Sequence, residues 1–150
     1  MGGMISRRWE MAWLLLSGLL ILYTLRVNMS VAAQKMKIDL NWTELEKGYI
    51  LSSFYWGYVI GQIPASCIAQ YYGAKWLFGL SVLIPAFLTI MVPMACNHSF
   101  TAALTIRVLI GFFESASFPA IYHFFPIWVP TAEKTFMIPF IISGIYLGEI

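Results

Sequence analysis

Residues 9–33 read WEMAWLLLSGLLILYTLRVNMSVAA. The stretch holds 25 residues with Glu10 at one edge and a single base, Arg26, in its interior. A helix rises about 1.5 Å per residue and a bilayer core is about 30 Å thick, so roughly 20 apolar residues span it. This stretch is long enough, and it predicts a first membrane helix. The basic pair Arg7-Arg8 before it resembles the start of a cleaved leader. Further apolar spans follow instead of a small-residue cleavage site, so the stretch reads as a span.

The pattern repeats outward from there. Residues 48–74 form an uncharged stretch and predict a second span. The next uncharged stretch, 76–106, is too long for one crossing and divides at Ala95-Cys96-Asn97-His98-Ser99, after Pro93. That division gives a third span over 76–94 and a fourth from Phe100 past Pro119 to about Trp128. A fifth begins near Thr135 and the chain stops inside it. Pro85, Pro119 and Pro126 fall within apolar runs, where membrane helices tolerate kinks. The expected fold class is an all-α membrane protein with four complete transmembrane helices plus a truncated fifth.

Composition agrees. The 150 residues are 60% hydrophobic and 11% charged, against about 45–50% and about 25% in soluble domains. Too little polar surface is present to cover a soluble core, whereas lipid can cover apolar faces. A net charge of +2 leaves no electrostatic footprint for nucleic acid. Cys67 and Cys96 lack metal spacing and read as small apolar residues. Neither a metal nor a cofactor is expected. With the N-terminus in the cytosol, Arg7, Arg8, Lys75 and Lys134 lie inside, a slight positive-inside bias. The Asn-x-Ser/Thr sites at Asn41 and Asn97 then fall in outer loops, and the one at Asn28 falls within the bilayer.

Charges inside a span are costly and mark function by default. Arg26 interrupts helix one; Arg107 and Glu114 interrupt helix four. Counted from the outer ends of their helices, both arginines lie roughly 10 Å deep at about 1.5 Å per residue. Two guanidinium forks at one level suit a carboxylate or phosphate. Glu114 lies two turns further in, on the face of Arg107, and is expected to exchange a proton or to pair with an arginine when substrate is absent. The plain structural alternative is an Arg–Glu bridge tying helices one and four. Asn28, Tyr49, Ser52 and Trp56 are candidates to line a substrate cavity, against ordinary packing for each alone. No nucleophile–base pair, metal cluster or phosphate loop can be assembled, so an enzyme is not expected.

Several stretches together resemble one family. They are Arg26-Val27-Asn28-Met29-Ser30-Val31-Ala32, then Ser53-Phe54-Tyr55-Trp56-Gly57-Tyr58 with Gln62-Ile63-Pro64. Helix four adds Arg107 to Glu114 and Phe118-Pro119-Ala120, and the following loop adds Trp128-x-Pro130-x-x-Glu133-Lys134. The set resembles the major facilitator superfamily, and within it the anion:cation symporters, such as sialin, vesicular glutamate transporters and sodium–phosphate cotransporters. The resemblance implies twelve helices in two halves with alternating access between them. It implies that Arg26 and Arg107 bind substrate and that Glu114 couples a proton. The implied partners are a small anionic substrate, a co-transported proton or sodium, and the lipid bilayer. Of the usual cytosolic gate, Gly73, Lys75, Glu133 and Lys134 remain, while Ser66, Gln70 and Tyr71 replace a glycine, an acid and a base. Leu51 stands where vesicular glutamate transporters carry a histidine. Residues 1–150 are therefore expected to form the N-terminal portion of such a transporter with the second half absent, unable to transport alone. The other expectation is a small non-transporting membrane protein that binds or regulates a full-length relative.

Overall fold

The computed structural model describes residues 2–150, with side chains from Arg7 onward. The described residues form six helices in chain order: α1 (Gly2–Asp39), α2 (Glu44–Tyr72), α3 (Ala74–His98), α4 (Phe100–Glu114), α5 (Ser117–Trp128) and α6 (Lys134–Glu149). Among the described residues, three stretches are long and apolar enough to cross a membrane: Arg7–Asp39, Ala74–His98 and, across α4 and α5 together, Phe100–Trp128. α2 is as long as α3, yet Ser52, Ser53, Gln62, Ser66 and Gln70 lower its hydropathy. α1 continues well past both ends of its apolar run and at 38 residues is about 57 Å long. α3 likewise runs four residues into the anticipated turn, which shrinks to Ser99 alone.

The Phe100–Trp128 stretch is interrupted where a kink was expected. Pro119 has no N–H and its ring presses on the carbonyl four residues earlier, that of Ser115. The helix accordingly stops at Glu114, turns through Ser115 and Ala116, and restarts at Ser117. Nearby carbonyls are satisfied locally: Ser115 Oγ donates to the Phe112 carbonyl at 2.6 Å and Ser117 Oγ to that of Glu114 at 2.7 Å. The break leaves Glu114 as the last residue of α4.

Glycines set the helix pairs. α2 lies on α4 with Gly57 against Val108, Gly61 against Phe112, and Gly111 against Phe54. α1 lies on α6 with Gly144 against Leu16 and Gly148 against Leu20, so register advances together and the two helices run parallel. Two apolar clusters result. One gathers Leu15, Leu19, Ala120, Phe124 and Ile141 toward the end that carries Arg7 and Arg8, here the basal end. The other gathers Met29, Ile50, Phe54, Val92 and Ile110 toward the opposite, distal end.

The distal hairpin between α1 and α2 is fastened by polar contacts. Thr43 caps α2 in a reciprocal box with Glu46: the Glu46 N–H donates to Thr43 Oγ1 at 3.2 Å and the Thr43 N–H to Glu46 Oε2 at 2.8 Å. Asn41 takes a left-handed conformation at φ 53° to make the turn. Lys37 donates to the Glu44 carboxylate, which Lys47 also approaches at 3.7 Å. The Lys37 hydrogen bond holds the Glu44 carboxyl below its ordinary value of 4.5. A carboxyl depressed by folding contributes above the ordinary value and loses that contribution as pH falls through the depressed one. In NMR of carboxyl-labelled protein, Glu44 is expected to titrate below pH 4.5 and to return toward it in Lys37→Ala.

Candidate functional site

Arg26, Arg107 and Glu114 come together between the two apolar clusters, around one aromatic ring. The guanidinium of Arg26 lies 4.5 Å from the centre of the Phe54 ring and that of Arg107 lies 5.4 Å from it. Arg26 also stacks on Tyr23, one turn earlier in α1, at 4.9 Å, and approaches Tyr58 at 5.7 Å. Such contacts favour a cation over the negative face of the ring, more strongly where water is excluded. Phe54 is held at this position because its own carbonyl rests on Gly111.

The pairing of charges is unequal. Glu114 Oε1 accepts from Arg26 at 3.3 Å, joining α1 to the end of α4. Arg107 is 5% exposed, and among the described residues no carboxylate pairs with it. Its one hydrogen bond runs from Nε to the Ile50 carbonyl at 3.5 Å, near the limit for such a bond. Arg26 Nε is buried with no protein partner. Two guanidiniums and one carboxylate give a net charge of +1 with unspent donors in a largely apolar surrounding. A buried charge is stable only when paired and hydrogen-bonded. An anion with a planar or tetrahedral oxygen face supplies both.

The other anticipated cavity residues do not join this cluster. Tyr49 and Trp56 are exposed on α2, and Asn28 is exposed on α1. Ser52 Oγ donates to the Tyr49 carbonyl within its own helix. At the basal end, Gly73 makes the turn between α2 and α3 at φ 87°, a conformation that favours glycine. Lys75 and Glu133 are exposed, Lys134 is half-buried, and none forms an ion pair among the described residues. Arg7 and Arg8 line a basal cavity of about 450 Å³ with Trp128 and Pro130. The residues that sequence reasoning missed are Phe54 and Tyr23. Tyr23 has a legible cue, its place three residues before Arg26, whereas Phe54 meets both arginines only through helix packing.

A helical bundle with apolar spans and a buried, net-positive cluster defines an integral membrane protein of the transporter class. Residues 14–150 match the Major Facilitator Superfamily, and the chain belongs to that family. It is 35% identical over 144 residues to the chloroplastic ascorbate transporter of Arabidopsis thaliana, covering 96% of this chain and 27% of that protein. Sodium-dependent phosphate transport protein 1, chloroplastic, also of Arabidopsis thaliana, is 33% identical over 144 residues, covering 96% and 28%. Human sialin is 30% identical over 176 residues, covering 97% and 35%. The chain thus spans 27% to 35% of the length of these relatives. The two Arabidopsis thaliana relatives are named as transport proteins, not as enzymes.

Proposed function

We propose that residues 1–150 form the N-terminal part of a secondary transporter that moves a small anion by symport with protons or sodium, through alternating access of two halves. In this reading α1, α2, α3 and the α4–α5 pair are four complete spans, and α6 is part of a fifth. The N-terminus faces the cytosol. The observation that carries the reading is the net charge of +1 at Phe54, where Arg107 has no acid of its own. Relatives named for ascorbate and phosphate transport agree with an anionic cargo.

Arg26 and Arg107 are assigned to the anion and Glu114 to the coupling ion. When Glu114 takes up a proton, the cluster gains a second net positive charge and holds an anion more firmly. Linkage makes the effect reciprocal, so each ligand strengthens the binding of the other. Glu114 also releases Arg26 on protonation, which frees that fork for the cargo. Gly73, Lys75, Glu133 and Lys134 remain assigned to the cytosolic gate, and Asn28, Tyr49, Ser52 and Trp56 to the cavity wall that the second half would close.

The test is uptake of labelled phosphate or ascorbate by proteoliposomes holding the full-length protein. Glu114→Gln is expected to flatten the pH dependence of uptake while leaving exchange of anion across the membrane measurable. A pH profile unchanged from wild type would remove Glu114 from coupling.

A further inference from the structure

Three of the polar residues that lower the hydropathy of α2, Gln62, Ser66 and Gln70, fall in one row. Tyr58, Gln62, Ser66 and Gln70 recur every four residues and so run down one side of the helix. Gln62, Ser66 and Gln70 line a groove of about 370 Å³ whose other wall is α5, with Phe118, Tyr122 and His123. That volume lies within the range of small-molecule sites. Tyr58 continues the row toward the charged cluster, where it lies 5.7 Å from the Arg26 guanidinium. A row of uncapped amides directed at hydrocarbon is costly, so this side of α2 faces water, cargo or protein.

The lining has a distinct chemistry. It contains no Lys, Arg, Asp or Glu. Each Gln offers two donors and an acceptor, while a Tyr hydroxyl and a neutral imidazole each do both. Ser66 Oγ already donates to the Gln62 carbonyl at 2.9 Å and keeps its acceptor capacity. Phe118 supplies an aromatic face. Inorganic phosphate, with oxygen acceptors and a dense charge, asks for cations that are absent from this lining. A hydroxylated ring asks for mixed donors and acceptors on its edge and an apolar platform under its C–H face, and the groove provides both.

We infer that the groove between α2 and α5 is a second recognition site, for the polyhydroxylated body of an organic anion passing between the arginine cluster and the basal end. The inference rests on the anion-transport reading, but its test does not require uptake. Ser66→Cys is introduced with Cys67→Ala and Cys96→Ala into the full-length protein in proteoliposomes, and its labelling by a charged methanethiosulfonate is timed. Glucuronate is expected to slow labelling, while cyclohexanecarboxylate and inorganic phosphate leave it unchanged. Adding Gln62→Leu and Gln70→Leu removes two neutral hydrogen-bonding groups and should raise the glucuronate concentration for half-protection by about tenfold or more. Equal protection by all three anions, or none by glucuronate, overturns the site. Full-length protein that takes up no anion would instead overturn the transport reading, whereas protection of Ser66→Cys by glucuronate alone would still support the groove as a binding site.

Discussion

Arg107→Ala is expected to bring anion uptake by the full-length protein to background while the protein stays in the membrane at near wild-type amount. The asymmetry of the charged cluster is the reason. Arg26 has Glu114 at 3.3 Å and three aromatic rings within 5.7 Å, so it is held whether or not cargo is present. Arg107 has only the Phe54 ring and a long bond to the Ile50 carbonyl. Its guanidinium is therefore the group with most to gain from an anion. Two charge-assisted hydrogen bonds at about 2 kcal/mol each correspond to more than a hundredfold in affinity. Removal also cancels the net positive charge of the cluster, which leaves a neutral Arg26–Glu114 pair with no demand for a counterion. Because Arg107 has no acid of its own, its loss orphans no carboxylate, and the fold should survive. Arg107→Lys keeps the charge but loses the planar fork, so it should retain part of the uptake with a raised KM. Normal uptake by Arg107→Ala in proteoliposomes would sink the assignment of the anion site.

The distribution of what was legible follows from what a single helix encodes. Apolar length is a property of one segment, so 9–33 and 76–94 announced membrane helices before any packing was known. An ionisable residue inside such a run stands out for the same reason, and Arg26, Arg107 and Glu114 were found that way. Depth along the axis was also readable at 1.5 Å per residue, and both arginines do reach the same ring. Azimuth between helices was not readable. Whether Glu114 turns to Arg26 or to Arg107 depends on how α4 is rotated against α1, and that rotation is set by glycine contacts elsewhere. Phe54 looked like one aromatic among several for the same reason, and the face of α2 that carries Tyr49, Ser52 and Trp56 could not be placed relative to the charged cluster. The interruption after Glu114 was half legible. Pro119 signalled a disturbance, but its effect falls four residues upstream, where the Ser115 and Ser117 hydroxyls donate to the Phe112 and Glu114 carbonyls beside the break.

Gly111→Val should abolish the folded membrane form, and Gly57→Val should do the same through the opposite helix. A Cβ on Gly111 would overlap the Phe54 carbonyl, and one on Gly57 would overlap the carbonyl oxygen of Val108. Both obstacles are backbone atoms inside continuous helices, so no rotamer change relieves them. α2 and α4 would have to separate. In lipid, no hydrophobic force between helices offsets that separation, because association there rests on close van der Waals packing of small residues. Overpacking that side chains can absorb costs about 1–3 kcal/mol, and a backbone collision lies at or beyond the top of that range. The separation would also pull Phe54 away from Arg107 and so dismantle the charged cluster along with the fold. Gly79 supplies the control: a Cβ there meets nothing within 4 Å. Gly79→Ala should be neutral or stabilise α3, since Ala exceeds Gly by up to about 1 kcal/mol in a helix interior. Detergent-solubilised yield and thermal unfolding followed by gel filtration would separate the three variants. A Gly111→Val protein that elutes and melts like wild type would mean that the close α2–α4 crossing does not hold the bundle together.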